Sequence, residues 1–154
     1  MTEIKINSEK YRKAVFVVVY RRNTKTNNIE YLILKRKMHW RGFEFTKGGV
    51  DEGESDMQTA KRETFEETGN YPKKIKEFNV KGKYRYKKQL PDRNGIVGQT
   101  FHLFSAEISS KSRVKIDKRE HSRYLWLSFD KATKKLTHRN QKKCLEIVNK
   151  SLMR

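Results

Sequence analysis

Ala14–Tyr20, AVFVVVY, is an almost unbroken apolar and β-branched run, the pattern of a strand buried on both faces. Arg21–Asn28 is polar and holds the Asn27-Asn28 pair, so it reads as a turn. Ile29–Lys35 is again strand-like and completes a β-hairpin with the first run. A basic loop, Arg36–Arg41, then leads to a short strand, Phe43–Phe45, and to Lys47-Gly48-Gly49. From Ser55 the period changes to that of a helix. Met57, Ala60 and Thr64 form its core-facing stripe, and Ser55 with Gln58 matches a capping box. Gly69 and Pro72 end it, so the helix spans Ser55–Thr68.

Beyond the helix, Ile75–Leu90 predicts one or two strands, Pro91–Gly95 a turn, and Ile96–Ile108 the return strand. Ser109–Ser122 reads as a loop and Tyr124–Leu127 as a short strand. Asp130 is the expected cap of a brief helix over Lys131–Leu136. Asn140–Leu152 is the last helix, with Cys144, Leu145, Ile147, Val148 and Leu152 on its apolar side. Strand, strand, helix, strands, helix is not the regular alternation of a doubly wound fold. It predicts a mixed sheet with helices on its faces, class α/β, and residues 1–154 are expected to form one domain.

Composition narrows the functional classes. No run reaches the roughly 18 apolar residues of a membrane span, and the polar start MTEIKINSEKYRK lacks the apolar core of a secretory signal. Cys144 is the single cysteine, which rules out an intrachain disulfide and fits a cytoplasmic protein. The net charge of +19 is unevenly spread: Glu44–Glu67 carries eight acids against three bases. Basic surroundings attract polyanions, and an acidic patch within them is suited to a cation.

That patch has a spacing of its own. Gly48, Glu54, Arg62, Glu63, Glu66, Glu67 and Gly69 read G-x5-E-x7-R-E-x2-E-E-x-G. On a helix Glu63 faces both Glu66 and Glu67, and like charges at such spacings cost about 0.2–0.5 kcal/mol per pair. Hard oxygen ligands of this kind suit Mg²⁺ or Mn²⁺.

The stretch Gly48–Gly69 resembles the Nudix box of the Nudix hydrolase superfamily. The departures are Thr64 and Asn70, where the family has aliphatic residues. The resemblance implies an α/β/α sandwich and a metal-dependent pyrophosphohydrolase that cleaves a diphosphate linked to another moiety. Glu63, Glu66 and Glu67 would hold the metal, the Gly48 carbonyl would be a further ligand, and Arg62 would orient the glutamates with Glu54 as partner. Phe43-Glu44-Phe45-Thr46-Lys47-Gly48 and Glu120-His121-…-Trp126-Leu127 are similar to segments of dinucleoside tetraphosphate hydrolases. A dinucleoside polyphosphate of the diadenosine tetraphosphate type is therefore the leading substrate. Lys47 would reach the polyphosphate, with Phe43 as an aromatic neighbour. Glu120 is a candidate general base or extra metal ligand, Glu67 is the other base candidate, and Glu44 is the third.

Tyr84 and Tyr86 lie in the basic stretch KGKYRYKK, where rings among cations suit base stacking. One of the two is expected to face a base and the other to pack elsewhere. Gly98-Gln99 with the following aromatic strand is loosely similar to RNA 5′-pyrophosphohydrolases. With the net charge, this keeps an RNA 5′ end as an alternative substrate and RNA as a partner. A Nudix module that binds nucleotide or RNA without turnover is the alternative from another class, and the intact glutamate set argues against it. His39, His102, His121 and His138 are scattered in sequence and none is read as a metal ligand.

Overall fold

The computed structural model describes residues 9–154. The polar start, read above as lacking a secretory segment, lies outside the described residues as far as residue 8. The elements are β1 Lys10–Arg22, β2 Ile29–Arg36, β3 Gly42–Glu44, β4 Thr46–Gly49, α1 Asp56–Thr68, β5 Lys74–Arg85, β6 Ile96–Glu107, β7 His121–Leu127, α2 Phe129–Lys135 and α3 Arg139–Leu152.

The apolar run in β1 makes it the centre of a seven-stranded mixed sheet. One edge of β1 pairs in parallel with β6 from Lys10 to Tyr20. The other edge is shared: Ala14–Val17 pairs antiparallel with β4, and Tyr20–Arg22 with β2. β2 carries β3 and β7, and β6 carries β5.

Alternation along β1 feeds two cores. Val15, Val17 and Val19 pack with Leu32, Leu34, Phe104 and Ala60 of α1. Phe16, Val18 and Tyr20 pack with Phe45, Leu103 and the residues Ala132, Leu136, Cys144, Leu145 and Val148 of the α2–α3 end. The sheet thus separates α1 from α2 and α3, which is the expected α/β/α sandwich. Each large side chain fully buried in these layers contributes about 1.5–3 kcal/mol.

Helix α1 starts and stops where its local signals place it. Ser55 Oγ accepts from the Gln58 amide at 3.1 Å, and Gln58 Oε1 accepts from the Ser55 amide at 2.8 Å. Gly69 closes the helix at φ 75°, its amide donating to the Phe65 carbonyl at 2.7 Å. The two departures from the box pattern are accommodated. Thr64 is buried and donates to the Ala60 carbonyl at 2.7 Å. Asn70 donates to the carbonyls of Thr68 at 2.9 Å and Arg113 at 2.7 Å.

Several boundaries differ from expectation. Phe43–Phe45 is not one strand: β3 ends at Glu44 and β4 begins at Thr46, because the first pairs with β2 and the second with β1. β7 starts at His121 rather than Tyr124, its polar beginning held by pairing with Lys35 and Arg36. Ser128, not Asp130, caps α2, its hydroxyl accepting from the Lys131 amide, and Asp130 sits in the first turn. Ile147 is exposed although Cys144, Leu145 and Val148 are buried. Among the described residues no helix is long and apolar enough to cross a membrane.

Candidate active site

Arg62 ties the acidic patch together. Its Nε and Nη2 each donate to Glu54 at 2.8 Å, a forked pair that holds the Glu54 carboxyl down at about 2. Its Nη1 donates to Glu63 at 2.8 Å and Glu66 at 3.1 Å, and Nη2 also reaches the Gly49 carbonyl at 2.9 Å. Glu54 is fixed in turn by the Thr59 hydroxyl at 2.6 Å. One side chain thus connects the loop before α1, two turns of the helix, and β4.

Gly48 faces the Glu63 carboxylate so closely that a Cβ at this position would overlap it. Burial, then the Glu66 charge, pushes the Glu63 carboxyl up to about 7. Glu67 is the extreme case. It is 2% exposed, and neither carboxylate oxygen has a hydrogen-bond partner. Burial, followed by the charges of Glu44, Glu63 and Glu120, raises its pKa well above the ordinary carboxylate value. A buried charge without a partner is costly, and a cation is the chemically fitting complement. Glu67, Glu120 and His121 each present a ligand atom within 4.8 Å of the others. The structure therefore brings Glu120 from its remote loop to the box, and places His121 with it. Glu66 is the exposed member of the glutamate set, held toward Arg62.

Glu44 lies beside this group but differs in character. It is 0% exposed, and accepts from Arg36 Nη1 at 3.2 Å and His121 Nε2 at 2.7 Å. Lys47 Nζ stands 3.2 Å from its other oxygen, an ion pair without hydrogen-bond alignment. Burial pushes Glu44 up, but Lys47, His121 and Arg36 together outweigh it and hold the carboxyl at about 2. So weak a base, already surrounded by donors, is unsuited to taking a proton, which removes Glu44 from the base candidates. With Glu44 ionised, His121 Nε2 carries the proton it donates, and Nδ1 has no partner. Lys47 is also placed differently from expectation. It is drawn onto Glu44 and lies 5.7 Å from the Trp40 ring rather than reaching freely outward.

The aromatic residues fall into two groups. Phe43 is half-buried against the core on the α2–α3 side of the sheet, with Lys135 Nζ 4.4 Å and the Arg123 guanidinium 5.8 Å from its ring centre. Tyr84 and Tyr86 do not point apart. They are two residues apart, so they share one face, and their rings meet edge to face at 6.2 Å. Tyr84 neighbours Lys47 and Phe16. The Tyr86 hydroxyl donates to Gln99 at 2.9 Å and accepts from Arg93 at 2.7 Å.

A model of the NUDIX domain matches residues 10–146. The chain belongs to the NUDIX domain family. Its box and fold are those of a Nudix-type hydrolase. The RNA pyrophosphohydrolase of Pseudoalteromonas atlantica is 35% identical over 89 residues, 57% of this chain and 47% of that protein. The match thus spans about half of that relative's length. Among solved structures, a C. elegans Ap4A hydrolase binary complex aligns with TM-score 0.74 at 23% identity, over 92% of this chain and 98% of that one. The E. coli dihydroneopterin triphosphate pyrophosphohydrolase aligns with TM-score 0.74 at 22% identity, over 89% and 95% of the two chains. At these identities the likeness concerns the fold.

Proposed function

We propose that this Nudix chain is a metal-dependent pyrophosphohydrolase acting on a phosphoanhydride of a nucleoside-linked polyphosphate, with dinucleoside polyphosphates as the leading class. The observation that carries this reading is Glu67, a buried carboxylate with both oxygens unpartnered, set beside Glu63 and within reach of Glu120. Glu63, Glu66 and Glu67, with the Gly48 carbonyl, would hold Mg²⁺ or Mn²⁺. Bound there, the cation supplies charge neutralisation at the non-bridging phosphate oxygens and acidifies water.

The chain's own residues do the rest. Arg62 positions Glu63 and Glu66 through its fork on Glu54. Glu120, partly open to solvent and adjacent to Glu67, accepts the proton of the attacking water. Tyr84 and Tyr86 present a shared aromatic face to a base, and Phe43 and Lys47 line the neighbouring wall. Lys47 exchanges its contact with Glu44 for a phosphate oxygen as substrate enters.

A second substrate reading is an RNA 5′ end carrying a triphosphate or cap. The Pseudoalteromonas relative and the net charge of +19 favour it. A panel separates the two: diadenosine tetraphosphate, nucleoside triphosphates and a 5′-triphosphate oligoribonucleotide, each with Mg²⁺, with products identified by mass spectrometry. Preferred cleavage of the dinucleotide supports the leading reading, and preferred cleavage of the oligonucleotide replaces it with the second. Metal-dependent cleavage of none of them overturns both.

A further inference from the structure

Arg12 is the cation at the cleft that the account above leaves without a role. It lies near the start of β1, directly across from Gln99 of β6 in the parallel register. Its guanidinium lies against the backbone of Gly49, so that a Cβ added there would come within 2.5 Å of both Cζ and Nε. Gly49 follows the glycine that faces Glu63, and its carbonyl accepts from Arg62. Arg12 is thus seated on the strand that adjoins the carboxylates, half-buried, with no ion pair and no side-chain hydrogen bond among the described residues. Burial, and then the nearby charge of Arg93, hold its pKa below the usual arginine value.

Its surroundings favour an anion. Arg93, on the Pro91–Gly95 turn, donates to Tyr86, and Tyr86 donates to Gln99, the cross-strand neighbour of Arg12. Two guanidinium groups are therefore brought to one part of the cleft, where Glu63 and Glu120 act on Arg12 only through their charge and the acceptors nearby are engaged elsewhere. Glu54 is taken by Arg62, Glu44 by Arg36, Lys47 and His121, and the Gln99 oxygen by Tyr86. Like charges repel, and a half-buried guanidinium without a partner forgoes the hydrogen bonds that water would give it. A planar fork of donors beside a basic neighbour matches phosphate oxygens.

We propose that Arg12, laid flat on Gly49 and framed by Arg93, binds the substrate's polyphosphate oxygens on the side of the cleft away from the box glutamates. This rests on the phosphoanhydride reading above for the identity of the ligand. The need for two glycines in succession follows from it. Gly48 makes room for Glu63, and Gly49 makes room for Arg12, so each face of one short strand admits one charged group.

The test uses the full chain and two readouts. In kinetics with Mg²⁺, Arg12→Ala is expected to raise KM for diadenosine tetraphosphate on the order of tenfold to a hundredfold, corresponding to one or two charge-assisted hydrogen bonds. Arg12→Lys recovers only part of the loss, because an ammonium cannot lie flat and donate as a fork. Lys150→Ala, which removes the same charge from an exposed pair on α3, leaves KM unchanged. In calorimetry with EDTA, inorganic tripolyphosphate binds the wild type and Lys150→Ala but not Arg12→Ala. Thermal melts and Mn²⁺ binding by electron paramagnetic resonance check that the variants keep the fold and the metal site. If the wild type hydrolyses nothing, the calorimetry still decides the role of Arg12. Equal tripolyphosphate binding by the wild type and Arg12→Ala, or binding by neither, overturns the proposal even where the enzyme is active.

Discussion

At the scale of single residues, the site is a set of charges that the fold compensates unevenly. Glu44 accepts from Arg36 and His121, pairs with Lys47 and is held at about 2. Glu67 has no hydrogen-bond partner. Removing its charge should relieve the metal-free protein. Glu67→Gln is expected to melt a few degrees above the wild type in EDTA at pH 8, since about 1 kcal/mol is worth roughly 2–4 °C at this size. Saturating Mg²⁺ should raise the wild-type melting temperature and leave the variant's nearly unmoved. A variant that melts below the wild type in EDTA would contradict this account of Glu67.

The pKa directions also set the pH dependence. Glu63 is raised from 4.5 to about 7 in the folded state, and Glu67 is raised as well. Such groups hold their protons preferentially when folded, so their contribution is full below the unfolded value and is lost as pH rises through the folded one. Glu44 is lowered from 4.5 to about 2, so its contribution is present above pH 4.5 and is lost as pH falls toward 2. Urea unfolding in EDTA should therefore show stability falling between about pH 5 and 8, and Mg²⁺ should flatten or reverse that slope. Stability that rises across this range in EDTA would contradict the assignment.

At the scale of elements, α1 and β4 are the parts that fix the geometry. Gly48→Ala should keep the sheet but displace Glu63, weakening Mn²⁺ binding and turnover together on the order of tenfold or more. Unchanged Mn²⁺ affinity in this variant would mean that Glu63 is not a ligand. Ser55→Ala should cost about 1 kcal/mol by loss of the cap, read in urea unfolding.

The same elements explain what could be read from the chain. β1, the first hairpin and α1 were legible because their signals are local: an apolar run, a turn pair, a capping box and a terminal glycine. The Arg62–Glu54 pair was legible because both residues belong to one spaced motif. The group around Glu44 was not. It is assembled by the register of β2 with β3 and with β7, which brings Arg36 from 8 residues away and His121 from 77 residues away onto Glu44. No periodicity near Arg36 marks it. Arg12 was hidden for the same reason, since its place depends on the Ala14–Gly49 pairing. The shared face of Tyr84 and Tyr86, by contrast, follows from the two-residue period of a strand alone.

At the scale of the whole molecule, a chain of net charge +19 concentrates eight of its 18 acids in Glu44–Glu67, and the sheet folds that segment against arginines from β1, β2 and the β5–β6 turn. In the proposed reading, the basic body draws in a polyanion while the glutamates reserve one spot for a cation. If RNA ends are the substrate, affinity for a 5′-triphosphate oligonucleotide should fall steeply between 50 and 200 mM salt, with a log–log slope growing with the number of phosphates contacted. A shallow slope, equal to that for diadenosine tetraphosphate, would confine recognition to the cleft.

The most direct test of the central claim is the Mg²⁺ dependence of diadenosine tetraphosphate hydrolysis in the wild type, Glu66→Gln and Glu67→Gln, each shown by circular dichroism to be folded. The account predicts saturable Mg²⁺ activation of the wild type, no turnover in EDTA, and loss on the order of a hundredfold or more in Glu67→Gln. Near wild-type hydrolysis by both variants in saturating Mg²⁺ would contradict it.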